Sequence, residues 1–249
     1  MDIHSIPGIF EPFSSLSHLL AAGLALVLGI SLLRSGWGKA HRVLALAVFV
    51  FSAVFLLTMS GLYHLLPPGL GRQIFHRLDH AAIFTLIAGT FTAMHAIAFR
   101  GLARWGMLLL VWLIAVVSIC VKMVYFDAMP DWLGLSLYLG MGWLGLVSGI
   151  LLWRQFGFGI VRPLVWGALA YTVGALADFA KVPVVWPGVL GPHEAFHIAV
   201  LLGLAGHWLC IQRLVRVSGE GGRNAGGAVF NGESLSPARL AVENRSYIR

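Results

Sequence analysis

The chain has 249 residues, of which 59% are hydrophobic and only 11% charged, with a net charge of +7. That balance excludes an ordinary soluble domain and places the chain among polytopic membrane proteins. The basic residues are scattered between apolar runs and gathered near the end of the chain rather than in a stripe, which excludes a nucleic-acid partner.

Residues 1–14 form a short N-terminal segment with Asp2 and Glu11 and no Lys or Arg. A secretory signal needs a basic start, so the first apolar run is expected to be retained. Seven runs approach the roughly 20 residues that a spanning helix needs: about 15–33, 43–65, 78–99, 105–124, 132–152, 164–181 and 193–214. The connections between them are short, so each helix should be antiparallel to the next. The predicted fold is an all-α membrane protein, a seven-transmembrane helix bundle over residues 15–214. Gly145 and Gly149, four apart in the fifth run, suggest close helix contact. Cys120 and Cys210 each lie in an apolar run and read as core residues, without a disulfide framework. From residue 215 the composition turns to Gly, Ser, Asn and Arg, and residues 215–249 read as a disordered tail.

Antiparallel crossings put the end of the second helix, the start of the third and the start of the seventh on one side of the bundle. Those places hold the unusual polar residues. The second run ends Ser60-Gly-Leu-Tyr63-His64, with Ser60 and His64 on one helical face. The third begins His76-Arg77-Leu78-Asp79-His80, and the seventh His193-Glu194-Ala195-Phe196-His197. His193 and His197, one turn apart, have the spacing for two imidazoles on one metal ion. A third histidine and an open position would make a zinc site of the catalytic kind. A polar collar where helices leave the bilayer is the alternative. An ionisable residue within a membrane span is a functional-site hypothesis by default.

The chain resembles the hemolysin III family, within the wider group that includes the progestin and adiponectin receptors. The resemblance covers residues 11–210 and rests on four motifs. They are Glu11-x2-Ser14-x2-Ser17-His18-x4-Gly23, Ser60-Gly-Leu-Tyr63-His64, Arg77-Leu-Asp79-His80-Ala-Ala-Ile-Phe84-x4-Ala88-Gly-Thr90 and Pro187-Gly-x2-Gly191-x-His193-Glu-x-Phe196-His197. It implies zinc bound by His64, His193 and His197, with Asp79 contacting the zinc water and Ser60 alongside. Two positions depart from the family pattern. Ser14 stands where asparagine is common, and Asp178 with Lys181 occupies a stretch usually less charged; the i, i+3 spacing reads as an ion pair, with Asp178 lining the cavity as the alternative. His18 belongs to the first motif, but spacing supplies no role for it. The other histidines, including His95, His41 and His207, read as structural or interfacial.

Some members of the wider group resemble ceramidases, which implies a zinc-dependent hydrolase of lipid amides or esters, with a membrane lipid as substrate and the bilayer as its environment. In that chemistry Asp79 handles the proton and Ser60 donates to the carbonyl oxygen. A pore-forming or channel role, or a receptor-like protein with structural zinc, is the non-enzymatic alternative. His193-Glu194-x2-His197 also fits the zincin pattern, with the glutamate as base of a membrane metalloprotease, which ranks lower because the five-residue pattern is weak by itself. The protein is expected in the cell (cytoplasmic/inner) membrane. Most of the 17 Lys and Arg lie in the first, third and fifth loops and the tail, so the positive-inside rule puts the C-terminus in the cytoplasm. The adiponectin receptors have the opposite orientation.

Overall fold

The computed structural model describes residues 8–186 and 189–230, with side chains as far as Gly219. Pro187 and Gly188 of the fourth motif, the first residues of the N-terminal segment and residues 231–249 of the expected tail lie outside the described residues. The helices are α1 (Pro12–Ser35), α2 (Ala40–Leu65), α3 (Leu70–Ala98), α4 (Leu102–Val124), α5 (Asp131–Trp143), α6 (Gly145–Phe156), α7 (Phe158–Phe179) and α8 (Pro192–Phe230). The pair α5 and α6 is one span interrupted at Leu144, so the described chain has seven segments long and apolar enough to cross a membrane. The all-α, seven-helix architecture is as the composition predicts.

α3 lies within a ring formed by the other helices. It packs on α2, α4, α5, α6 and α8, and the ring closes where α1 meets α8. One apolar core joins α1, α2, α3, α7 and α8 around Phe49, Leu57, Met94 and Ile211. A smaller one joins α3 to α4 and α5 around Phe84, Phe91 and Val111. The opposite faces are apolar and exposed, as at Leu20, Leu24 and Val27 of α1, because their solvent is lipid.

The ends of several helices differ from the sequence reading, each for a visible reason. α3 starts at Leu70 rather than 78, because its polar first turns have partners. Arg72 Nη1 donates to the Tyr63 and Leu66 carbonyls at 3.1 and 2.8 Å, and Arg77 pairs with Asp127 at 3.0 Å. α7 starts at Phe158 and runs through Pro163, which the sequence reading put in a loop. Proline lacks the N–H that would bond the Gly159 carbonyl; Arg213 of α8 donates to that carbonyl at 2.5 Å. α8 continues past 214 as backbone helix to Phe230, into the stretch expected to be disordered. Val215 is buried there, and Arg42 Nη2 donates to the Ser218 carbonyl at 3.1 Å.

Close helix approach occurs between α7 and α8, not at Gly145 and Gly149. A Cβ at Gly145 would meet Phe91 at 3.6 Å, ordinary contact. At Gly206 it would meet the Pro163 carbonyl at 2.5 Å and Gly167 Cα at 3.0 Å, so the two backbones touch. Cys210 is buried as expected, whereas Cys120 is exposed on the outer face of α4.

Candidate metal centre

The end of α2 fixes the first imidazole. Pro67 and Pro68 stop that helix, leaving its last carbonyls without helical donors. The segment before α1 supplies two: Phe10 N–H bonds to the Leu65 carbonyl at 3.1 Å and Glu11 N–H to the His64 carbonyl at 2.9 Å. Arg72 supplies others. The same segment brings the Glu11 carboxylate onto His64, where it accepts the Nδ1–H. Its other oxygen accepts from Arg72, whose guanidinium lies over the rings of Phe10 and Tyr63. Burial pushes the Glu11 carboxyl up, but His64 and Arg72 outweigh it and hold the group below the usual carboxylate range. With Nδ1 carrying the proton, the lone pair of His64 is on Nε2.

The other two imidazoles come from the first turns of α8. Pro192 opens that helix, a position that suits a residue without an N–H. Glu194 reaches back to accept the Gly191 N–H at 2.9 Å, as the glutamate of a capping box does. Its second oxygen accepts from the Ser14 hydroxyl at 3.4 Å. Glu194 is therefore tied into the start of α8. His193 and His197 point into the bundle, with His193 partly exposed and His197 only 2% exposed.

His64, His193 and His197 bring their ligand nitrogens within 4.8 Å of one another. Nε2 of His193 stands 3.3 Å from that of His64 and 3.1 Å from that of His197. Nitrogens bound tetrahedrally about 2.0–2.1 Å from a zinc-sized ion would stand roughly 3.3 Å apart. The two nitrogen separations stand close to that value, and the three ring centroids lie 4.7–5.0 Å apart, so the donor set fits one ion. Carboxylates stand behind two of the rings, Glu11 on His64 Nδ1 and Asp178 at 3.6 Å from His193 Nδ1. That is the outer arrangement by which metal-binding histidines are held in orientation.

Asp79 lies near the start of α3, at the same end of the bundle as Ser60 and His193. Ser60 is buried one turn before His64. All five residues singled out in the sequence thus meet at one end of the bundle. His80, next to Asp79, turns away: its Nδ1 lies 2.7 Å from the Tyr138 hydroxyl and its Nε2 3.1 Å from His76. His95 is far from this end and internally satisfied. Its Nδ1 faces the Ala103 carbonyl at 2.8 Å and so carries the proton, leaving Nε2 to accept from Ser148 at 2.8 Å.

Four residues near the triad carry roles that the sequence did not supply. Glu11 and Arg72 were not tied to the ligands. Asp178 does pair with Lys181, at 3.5 Å, but it also faces His193. His18, 3% exposed, stacks on His197 with ring centroids 4.0 Å apart, and neither of its nitrogens has a hydrogen-bond partner among the described residues. Both departures from the family pattern, Ser14 and Asp178, touch the first turns of α8. Their signal was positional: each lies at a helix end on the same side as the triad.

A family model described as Haemolysin-III related matches residues 9–208. Among characterised proteins, the chain is 30% identical over 206 residues to "Hemolysin-3" of Bacillus cereus, covering 81% of this chain and 90% of that protein. It is 26% identical over 209 residues to the "Hemolysin-3 homolog" of Bacillus subtilis (strain 168), covering 82% and 95% respectively.

Proposed function

This chain belongs to the haemolysin-III-related family, and from that premise we propose that it is a zinc-dependent hydrolase of lipid amides or esters in the cell membrane. The observation that carries the reading is the convergence of three imidazoles, their ligand nitrogens within 4.8 Å of one another, at the end of the membrane-spanning helices that also holds Asp79 and Ser60. Three neutral imidazoles leave a zinc ion its positive charge. Bound there, zinc would supply a Lewis acid for a carbonyl and make water nucleophilic near neutral pH.

The chain's own residues supply the rest. Asp79 accepts the proton from the attacking water and returns it to the leaving amine or alcohol. Ser60, buried at the same end of the bundle, donates to the carbonyl oxygen as negative charge develops. Glu11 and Asp178 keep two ligand rings in the tautomer that offers Nε2. The apolar outer faces of the helices suit a substrate that arrives through the bilayer. Glu194 does not suit the base of a metalloprotease, because one carboxylate oxygen accepts the Gly191 N–H and the other the Ser14 hydroxyl.

Metal analysis of the purified protein, followed by hydrolysis assays on ceramides and lipid esters, tests this reading. Zinc is expected at one per chain and to fall when His64, His193 or His197 is replaced by Ala. Full occupancy in a His64→Ala/His197→Ala double variant would end it. Asp79→Asn is expected to keep its zinc and lose hydrolysis by roughly 10²–10⁴-fold, while Glu194→Gln stays within a few-fold of the parent. The reverse ranking would favour the protease. A zinc-loaded parent that hydrolyses no lipid would leave the metal structural.

A further inference from the structure

The end of the bundle away from the triad has the opposite charge. Among the described side chains, the acidic residues are Glu11, Asp79, Asp127, Asp131, Asp178 and Glu194, all towards the triad end. The far end gathers cations where the α1–α2 and α3–α4 loops meet. A cavity of about 510 Å³ opens there, lined by Lys39, His41, Arg42, Ile97, Arg100 and Arg104. Lys39 and Arg100 are exposed, and Arg42 is only 8% exposed.

None of the four cations has a carboxylate partner among the described residues. Arg42 spends one terminal nitrogen on the Ser218 carbonyl, and Arg104 its Nε on the Phe99 carbonyl at 2.7 Å. The buried Nε of Arg42 has no hydrogen-bond partner among the described residues. Like charges held together around a cavity, one of them desolvated with a donor unpaired, are costly unless an anion joins them. Guanidinium groups match the paired oxygens of a phosphate.

We propose that this cavity binds the phosphate of an anionic membrane phospholipid. Two further observations select a lipid over a free anion. The α1–α2 loop and the first turn of α4 expose Trp37, Leu102 and Trp105 at 81%, 86% and 66%, an apolar rim suited to the headgroup region and the first acyl carbons. The cavity also lies at the ends of membrane-spanning helices, the depth at which basic pockets meet lipid headgroups. Nothing in this inference depends on the metal or on hydrolysis.

The test is native mass spectrometry of the full chain in detergent, titrated with phosphatidylglycerol or phosphatidylcholine. A Lys39→Gln/Arg100→Gln variant removes two exposed cations from the cavity. Arg154→Gln/Arg216→Gln removes two exposed cations from the same end that do not line it. Phosphatidylglycerol is expected to bind about tenfold more tightly than phosphatidylcholine. The cavity variant should lose that preference, while the control keeps it within twofold and excess inorganic phosphate fails to displace the lipid. Equal losses in the two variants would reduce the effect to diffuse attraction and overturn the site. So would equal affinity for the two lipids, or displacement by inorganic phosphate alone.

Discussion

Two of the three candidate ligand imidazoles have a carboxylate at the second nitrogen, which aims the first. Glu11 takes the Nδ1 proton of His64, and Asp178 faces Nδ1 of His193. His197 has no such carboxylate; its ring is held by the face of His18. We expect Glu11→Gln and Asp178→Asn to weaken zinc binding by roughly 10–100-fold, as loss of outer partners typically does. Competition with a chelator of known affinity measures this, and unchanged affinity in both would remove the carboxylates from the site. Crossing parity puts residues 64, 79, 193 and 197 at one end, together with His76 and His80, and the family resemblance rather than spacing singled out His64 as the third candidate ligand. The supports of the ligands were not legible. Parity says which end a residue occupies but not which helical face meets which neighbour. Asp178 therefore read first as a partner for Lys181, with a place lining the cavity as the alternative, and Glu11 as part of a motif without a role.

At the scale of the helix, hydropathy located the spans because lipid leaves no other place for such apolar runs. It placed their ends less well, because polar turns continue a helix when they find partners. Arg72 and Arg77 extend α3 in this way, and Arg213 covers the carbonyl that Pro163 frees in α7. The contact that brings α8 against α7 depends on Gly206, where an added methyl would press on the backbone of the other helix. Gly206→Ala is expected to destabilise the protein by about 1–3 kcal/mol, the usual cost of forcing atoms into a filled interface. A thermal unfolding comparison in one detergent checks it. No loss of stability would mean the helices separate freely. The sequence pointed to Gly145 and Gly149 instead, because a spacing of four marks small residues without saying whether another backbone faces them.

At the scale of the whole molecule, the described acidic side chains collect at one end, and cations without a carboxylate partner among the described residues at the other. By the positive-inside rule the C-terminus is expected in the cytoplasm and the triad towards the outer leaflet. A C-terminal reporter active only in the cytoplasm is expected to signal, and one active only outside should stay silent; the reverse pattern would match the adiponectin receptors. Metal removal belongs to this scale too. An ion bound only by the folded chain adds to its stability, so chelation should lower the unfolding temperature of the parent and leave that of His64→Ala/His197→Ala unchanged.

The separation of the ligands along the chain has a consequence for biosynthesis. His64 is made early, but His193 and His197 begin the last span. A ribosome-bound chain that has delivered the first six spans offers one imidazole of the triad, and so lacks the proposed site. On the proposed zinc reading, the ion enters only when α8 inserts and then ties the last span to the second, closing a long intervening loop whose ends are costly to bring together. Metal uptake would then mark completed insertion. Chains truncated before residue 193 should reach the membrane without zinc and be cleared faster than the full-length protein, which pulse-chase labelling of the two forms would measure.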